Sequence, residues 1–260
     1  YNRLIDGKKS VRENIIDLIA SPGARLENEV SMYLNSEISK ITNVNEVFEA
    51  LAKGFSRYKD ILDQSHVSSG PALVDVLDKL IRMDVVDKIT PINDENNRKK
   101  SGYFISDNLS LFYYKYIFRN SSRMNIMDSD IFYDRYIAED FETKYVPKVF
   151  EDVCRQYLIR RNRKGLMDEI FEKIGKYYYD DPVAKKNGEF DIVTQDDKGY
   201  IFYEAKFRKE PVTEQMIEKE IVQVKQTGLE CYKYGFFSKS GFACEERENR
   251  SLIELKELYR

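Results

Sequence analysis

The 260-residue chain contains no tryptophan, one histidine and three cysteines, and each scarcity removes a class of chemistry. The lone His66 lies far upstream in a turn before a helical segment, and reads as a structural or solvated residue. Histidine-bearing triads, HNH-type nuclease centres and multi-histidine metal sites therefore lack their residues. Cys154, Cys231 and Cys244 are odd in number and without C-x-x-C spacing. Neither a structural zinc nor a disulfide framework is implied, and a reducing cytoplasm fits. No apolar run approaches membrane length and no signal-peptide pattern occurs, so no membrane partner is expected. G-x-x-x-x-G-K-[ST] is absent, so this chain does not itself cradle a nucleotide phosphate in that way. Positive charge is not in surplus either: 42 Lys and Arg stand against 45 Asp and Glu, a formal net charge of −3. Any nucleic-acid contact has to come from local patches.

What is present is most informative at Gly188-Glu189-Phe190-Asp191-Ile192-Val193 and Tyr203-Glu204-Ala205-Lys206-Phe207. Both stretches are rich in aromatic and β-branched residues, and the polar Asp196-Asp197-Lys198-Gly199 between them reads as a hairpin loop. With those four residues as the loop, Gln195 pairs with Tyr200, Val193 with Phe202, Asp191 with Glu204 and Glu189 with Lys206, all on one face. Two carboxylates opposite each other, with Cβ atoms roughly 5 Å apart, repel unless something positive lies between them. A divalent cation resolves that conflict. Mg²⁺ or Mn²⁺ takes oxygen ligands and needs only one or two protein carboxylates, here Asp191 and Glu204. Two readings stand side by side: a charged face of a solvated hairpin in a chain that is 33% DEKR, and a catalytic site. Tyr200-Ile201-Phe202-Tyr203 is apolar on both faces, as in a buried central strand, and charges at the end of such a strand need a reason.

Upstream, a helix beginning near Pro147 has Phe150, Val153, Cys154, Tyr157 and Leu158 as its apolar face. Glu151 lies just off that face, as a further metal ligand or as the partner of Arg155 in an ordinary helix ion pair. Arg160, Arg161, Arg163 and Lys164 near its end either neutralise phosphates or face solvent with favourable dipole interactions. A second helix runs from Thr213 to about Gln226, with Ile217, Ile221 and Val224 as its buried stripe. Lys219, Gln223 and Gln226 share another face, suited to a phosphodiester backbone or simply to solvent.

The N-terminal half reads as helices at 46–56, 58–65 and 70–83, then a two-stranded wing from Val85–Ile92 and Tyr103–Ser106 around a polar tip. The tip carries Arg98, Lys99 and Lys100, which can touch a nucleic-acid backbone. The presumed recognition segment, 67–87, sets Lys79 and Arg82 against Asp75, Asp78, Asp84 and Asp87, a poor balance for approaching phosphates. Protein docking or weak accessory binding fits it better than sequence-specific DNA recognition. Asn108–Phe118 is densely aromatic, more in the manner of a core than of a base-stacking platform.

The pieces G-E-F-D, Y-E-A-K-F and Tyr234-Gly235-Phe236-Phe237-Ser238-Lys239-Ser240-Gly241-Phe242 resemble the C-terminal region of archaeal-type P-loop ATPases, a region of unknown function that is itself similar to PD-(D/E)xK nucleases. The resemblance implies an α+β multi-domain chain: an ATPase-lid-like helical segment at 1–44, a winged-helix domain with its aromatic connecting helix at 45–140, and an α/β restriction-endonuclease-like domain at 141–260. It implies Asp191, Glu204 and Lys206 as catalytic residues, Asp191, Glu204 and Glu151 as ligands of Mg²⁺ or Mn²⁺, and DNA as the substrate. It also implies a P-loop ATPase module preceding Tyr1. The family usually has tryptophans before the aspartate, where this chain has Tyr177-Tyr178-Tyr179. The expected activity is that of a cytoplasmic, magnesium-dependent endodeoxyribonuclease. The alternative is a non-catalytic DNA-binding or docking module that regulates or targets the ATPase.

Overall fold

The computed structural model describes residues 2–38, 41–181 and 186–259, and the side chains at 2, 41, 42, 98, 181 and 186 lie outside that description. Two compact units emerge: Tyr1–Ile89 with Ser101–Phe141, and Thr90–Lys100 with Glu142–Arg260.

The first unit is built from α1 (Val11–Leu18), α2 (Glu29–Glu37), α3 (Ile41–Ala52), α4 (Tyr58–Ser65), α5 (Gly70–Arg82), the antiparallel pair β1 (Val86–Ile89) and β2 (Gly102–Ile105), α6 (Asn108–Phe112), α7 (Ser121–Ile126), α8 (Ser129–Tyr136) and α9 (Ala138–Asp140). Helix α3 begins earlier than its apolar pattern suggests and stops before Gly54, whose φ of +95° ends the helical path. Ser69 caps α5, which has proline in its first turn and buries Leu73, Val76, Leu77 and Leu80. His66 is exposed and closes α4 in the left-handed region, which makes it a turn residue. The aromatic stretch continues from α6 into a π-helical turn, Tyr113–Ile117, and is core. Tyr114 stacks on Phe48 with ring centroids 4.5 Å apart, and its hydroxyl donates to Asn45 Oδ1 at 2.6 Å.

In the second unit α10 (Val146–Arg163) precedes five strands, β3 (Lys173–Asp181), β4 (Lys186–Asp196), β5 (Gly199–Lys206), β6 (Cys231–Ser238) and β7 (Arg250–Glu254), with α11 (Glu214–Gln226) between β5 and β6. The spatial order is the chain order. β3, β4 and β5 form an antiparallel meander, whereas β6 and β7 run parallel to their neighbours, the first of these parallel pairings following the α11 crossover. Strand alternation divides the apolar residues between two faces. Phe190, Val193, Phe202, Tyr234 and Phe236 pack with Ile217, Ile221 and Val224 of α11, and Ile192, Ile201, Tyr203 and Phe237 pack with Phe150, Cys154, Tyr157 and Leu158 of α10. The unit is therefore a sheet covered by one helix on each face.

The hairpin turn is tighter than the sequence suggests. Asp196 pairs with Gly199, leaving Asp197 and Lys198 as the loop, and Asp196 Oδ1 accepts from the Lys198 and Gly199 amides. Gly199, at φ +132°, occupies backbone space that a side chain disfavours. The register survives, because Gln195 faces Tyr200 and Val193 faces Phe202.

Candidate active site

The register fails one step before the acids. The β4–β5 ladder ends at Ile192 opposite Tyr203, so the expected pairs Asp191–Glu204 and Glu189–Lys206 do not form. The cause lies on the other side of β4. Against β3, Val193 faces Gly175 and Phe190 faces Tyr177, so Asp191 and Ile192 together oppose Lys176 alone. This is a bulge, and it re-aims the side chains around it. Phe190 and Val193 both reach the α11 face, and Asp191 turns with Ile192 to the α10 face. Glu204 and Lys206 alternate with Phe202 onto the α11 face, where Lys206 meets Glu220 of α11. The clamp of two facing carboxylates is replaced by two carboxylates leaving opposite faces where their strands part.

On the α10 face, Lys148 Nζ lies 2.5 Å from Glu151 and 3.2 Å from Asp191. Lys176 Nζ lies 2.8 Å from Asp191 and 2.5 Å from Glu189, which pairs across the ladder with Tyr178. Glu151 thus joins Asp191 through Lys148, while Arg155 pairs with Asp152 at 3.7 Å. On the other face Lys206 Nζ stands 2.8 Å from Glu204 and 2.7 Å from Glu220.

Burial pushes the Asp191 carboxyl up, but Lys176 and Lys148 outweigh it and hold the group below its usual range. Glu151 goes the other way: burial and the charge of Asp191 raise it further than Lys148 lowers it. Glu204 is raised by burial, with Lys206 opposing and Glu220 and Glu151 adding repulsion. Lys206 is pushed down by burial, yet Glu204 and Glu220 carry it above its ordinary value. Asp191 thus contributes to the rise of Glu151, while the rise of Glu204 comes mainly from burial, with only a minor part from Glu151.

Among the described residues, no three Asp, Glu, His or Cys groups already stand together as a metal site. The donor chemistry nevertheless fits a hard divalent cation: carboxylate oxygens, with the remaining positions open to water and phosphate. Lys148 and Lys176 escaped the sequence reading. The signals were there, a K-x-x-E step in the first turn of a helix and one lysine between a glycine and a run of tyrosines on an otherwise aromatic strand.

The remaining expected contacts scatter. Lys219 and Gln223 are exposed one turn apart on α11. At the expected wing tip, Lys99 is exposed, whereas Lys100 pairs with Asp94 at 2.9 Å and sits 4.0 Å from the centroid of Tyr178. The side chain of Arg98 lies outside the described residues. The whole segment Thr90–Lys100 belongs to the second unit. It lines the outer edge of β3, where the Ile92 amide donates to Lys176 O and Asn93 exchanges two hydrogen bonds with the Tyr178 backbone. That covers an edge strand which would otherwise invite pairing with other chains.

The architecture defines a mixed α+β protein, a helical region accompanied by a five-stranded sheet. Residues 113–222 are similar to DUF234, a family described as archaeal and bacterial proteins of unknown function. That stretch contains Glu151, Asp191, Glu204 and Lys206. An uncharacterized protein of Methanocaldococcus jannaschii, MJECL04, is 27% identical over 231 residues, covering 86% of this chain and 49% of its own length. The chain thus spans about half the length of that relative. No solved structure matches. No helix among the described residues is long and apolar enough to cross a membrane.

Proposed function

We propose that this chain is the phosphodiester-hydrolysing part of a longer protein, a PD-(D/E)xK-type deoxyribonuclease dependent on Mg²⁺ or Mn²⁺. The carrying observation is the bulge that turns Asp191 out of the β4–β5 ladder toward Glu151, beside the point where β5 ends in Glu204-Ala205-Lys206. Glu151 and Glu204, whose carboxyls burial raises despite their lysines, carry a cost that a bound cation would offset, whereas Asp191 is already compensated by two ammonium groups. Asp191 and Glu151, which share the Lys148 ammonium on the α10 face, are the proposed oxygen donors for the cation, and Glu204, which leaves the other face, is proposed to complete its shell through water. When bound, such an ion polarises a phosphate and lowers the pKa of a water. Lys206, fixed between Glu204 and Glu220, supplies an ammonium to the charge that develops on the phosphate oxygens. Lys219 and Gln223 present a polar edge to the DNA backbone. The longer relative, of which the match covers 49%, supports reading the chain as one part of a larger protein, and a P-loop ATPase is the module proposed to accompany it.

One observation favours a second reading. Asp191 is paired with two lysines, and it leaves the sheet on the face opposite Glu204, as suits a non-catalytic DNA-binding or docking module that keeps its charges neutralised. Incubating supercoiled plasmid with the protein and Mn²⁺ separates the two. Nicking that vanishes in EDTA and in Glu204→Ala, Lys206→Ala and Asp191→Asn, all remaining folded, is expected of the nuclease. Absence of nicking in the wild type, or its persistence in the variants, sinks that reading.

A further inference from the structure

Lys148 Nζ occupies the position between Asp191 and Glu151, 3.2 Å from one carboxylate and 2.5 Å from the other. We propose that Lys148 is the resident counter-ion of this acid pair and a specificity-determining residue of the site: a divalent cation has to displace its ammonium to bind.

The inference rests on the metal-site reading given above and adds how that site is gated. Asp191 has two ammonium partners, and they differ in freedom. The Lys176 side chain is 12% exposed on β3 and is also committed to Glu189, whereas the Lys148 side chain is 46% exposed in the first turn of α10. A lysine has a flexible four-carbon stem and a strongly hydrated head, so Lys148 can swing into water while Lys176 keeps Asp191 aimed. Displacement exchanges one positive charge for two between the acids. It suits a doubly charged ion, and a single positive charge gains nothing over the lysine already there. The released ammonium remains tethered beside the site, where the next negative group to arrive is a substrate phosphate. Metal and phosphate thereby favour each other: the metal frees the lysine, and the phosphate gives it a new partner.

The test is a calorimetric titration of the intact chain with Mn²⁺ alone, without DNA, on wild type, Lys148→Met, Lys148→Arg and Lys148→Met combined with Asp191→Asn. Removing an ion-pair competitor is expected to tighten Mn²⁺ binding severalfold, up to about fivefold, in Lys148→Met. Lys148→Arg retains the charge and can grip carboxylates with a planar fork, so it is expected to bind Mn²⁺ no more tightly than wild type, and tighter binding in this variant would overturn the counter-ion role. The double variant is expected to lose binding. Equal affinity in wild type and Lys148→Met, with binding lost in Lys148→Met combined with Asp191→Asn, overturns the role of Lys148 and leaves the metal site standing. Weaker binding in Lys148→Met also overturns it, because the lysine would then be assembling the acids for the metal. No Mn²⁺ binding by either protein at millimolar concentration removes the metal site, and this inference with it. Thermal melts of each variant confirm that all remain folded.

Discussion

Glu49 in the first unit and Glu204 in the second are both carboxylates drawn away from water, and the two units treat them differently. The Glu49 side chain is 7% exposed and meets the Arg119 guanidinium through both oxygens. Each oxygen has its own donor in a planar fork, the arrangement that best compensates a buried charge. Glu204 is partly exposed and held by one lysine that also serves Glu220, and burial leaves its carboxyl raised. The first arrangement is complete and holds two helical segments together. The second shares a single ammonium between two carboxylates, so burial is less fully compensated there than at Glu49.

Three measurements would break or sharpen that contrast. The largest effect is expected in the first unit. Arg119→Ala leaves the Glu49 carboxylate without its fork, and should lower unfolding free energy by about 1–3 kcal/mol, less than for a fully buried pair because the guanidinium is mostly exposed. Chemical denaturation of wild type and variant checks it, and a neutral outcome would mean that Glu49 is no more committed than Glu204.

The next effect has the opposite sign. A carboxyl whose pKa is raised in the folded state binds its proton more tightly there, so its contribution to stability is fully present below the unfolded pKa and is lost as pH rises through the folded one. Glu204→Gln removes that loss. The variant is expected to melt at or slightly above the wild-type temperature at neutral pH, and to show a shallower fall in stability from acidic to neutral pH. Glu151, raised for the same reason, keeps part of the slope, while Asp191, held low by its lysines, acts in the reverse direction and loses its contribution as pH falls. Melting curves between pH 4 and pH 8 test the sign. A Glu204→Gln variant clearly less stable than wild type at neutral pH would make Glu204 as structural as Glu49.

The smallest effect concerns Lys100. Its ammonium is engaged by Asp94 and the Tyr178 ring, so Lys100→Ala should slightly lower the melting temperature and leave affinity for duplex DNA unchanged. A clear loss of DNA affinity in a salt-dependent anisotropy titration would restore the nucleic-acid contact expected of the basic wing tip.

Much of the architecture could be read along the chain because it follows from local rules. The 3.6-residue pattern of Leu73, Val76, Leu77 and Leu80 determined α5, and Pro147 marked the start of α10. Period-two alternation around the polar turn set β4 against β5 as far as Val193–Phe202. Four exposed aspartates around α5 against Lys79 and Arg82 were also legible, and they keep that helix a poor match for phosphates. What the alternation could not reveal is the bulge, because that depends on how β3 lies against the far side of β4. One extra residue there carried Asp191 to the opposite face from Glu204.

By itself, then, the sequence determined where Glu151, Asp191, Glu204 and Lys206 fall along their helix and strands, since hydrophobic period and turn chemistry are properties of neighbours along the chain. Only tertiary structure decided which charges meet. Lys148 and Asp191 are 43 positions apart, and Lys176 reaches Asp191 from a strand whose register no local pattern specifies. Electrostatics acts through space over a few ångströms, so the partners of a charge are set by the folded surface and not by its neighbours in the chain.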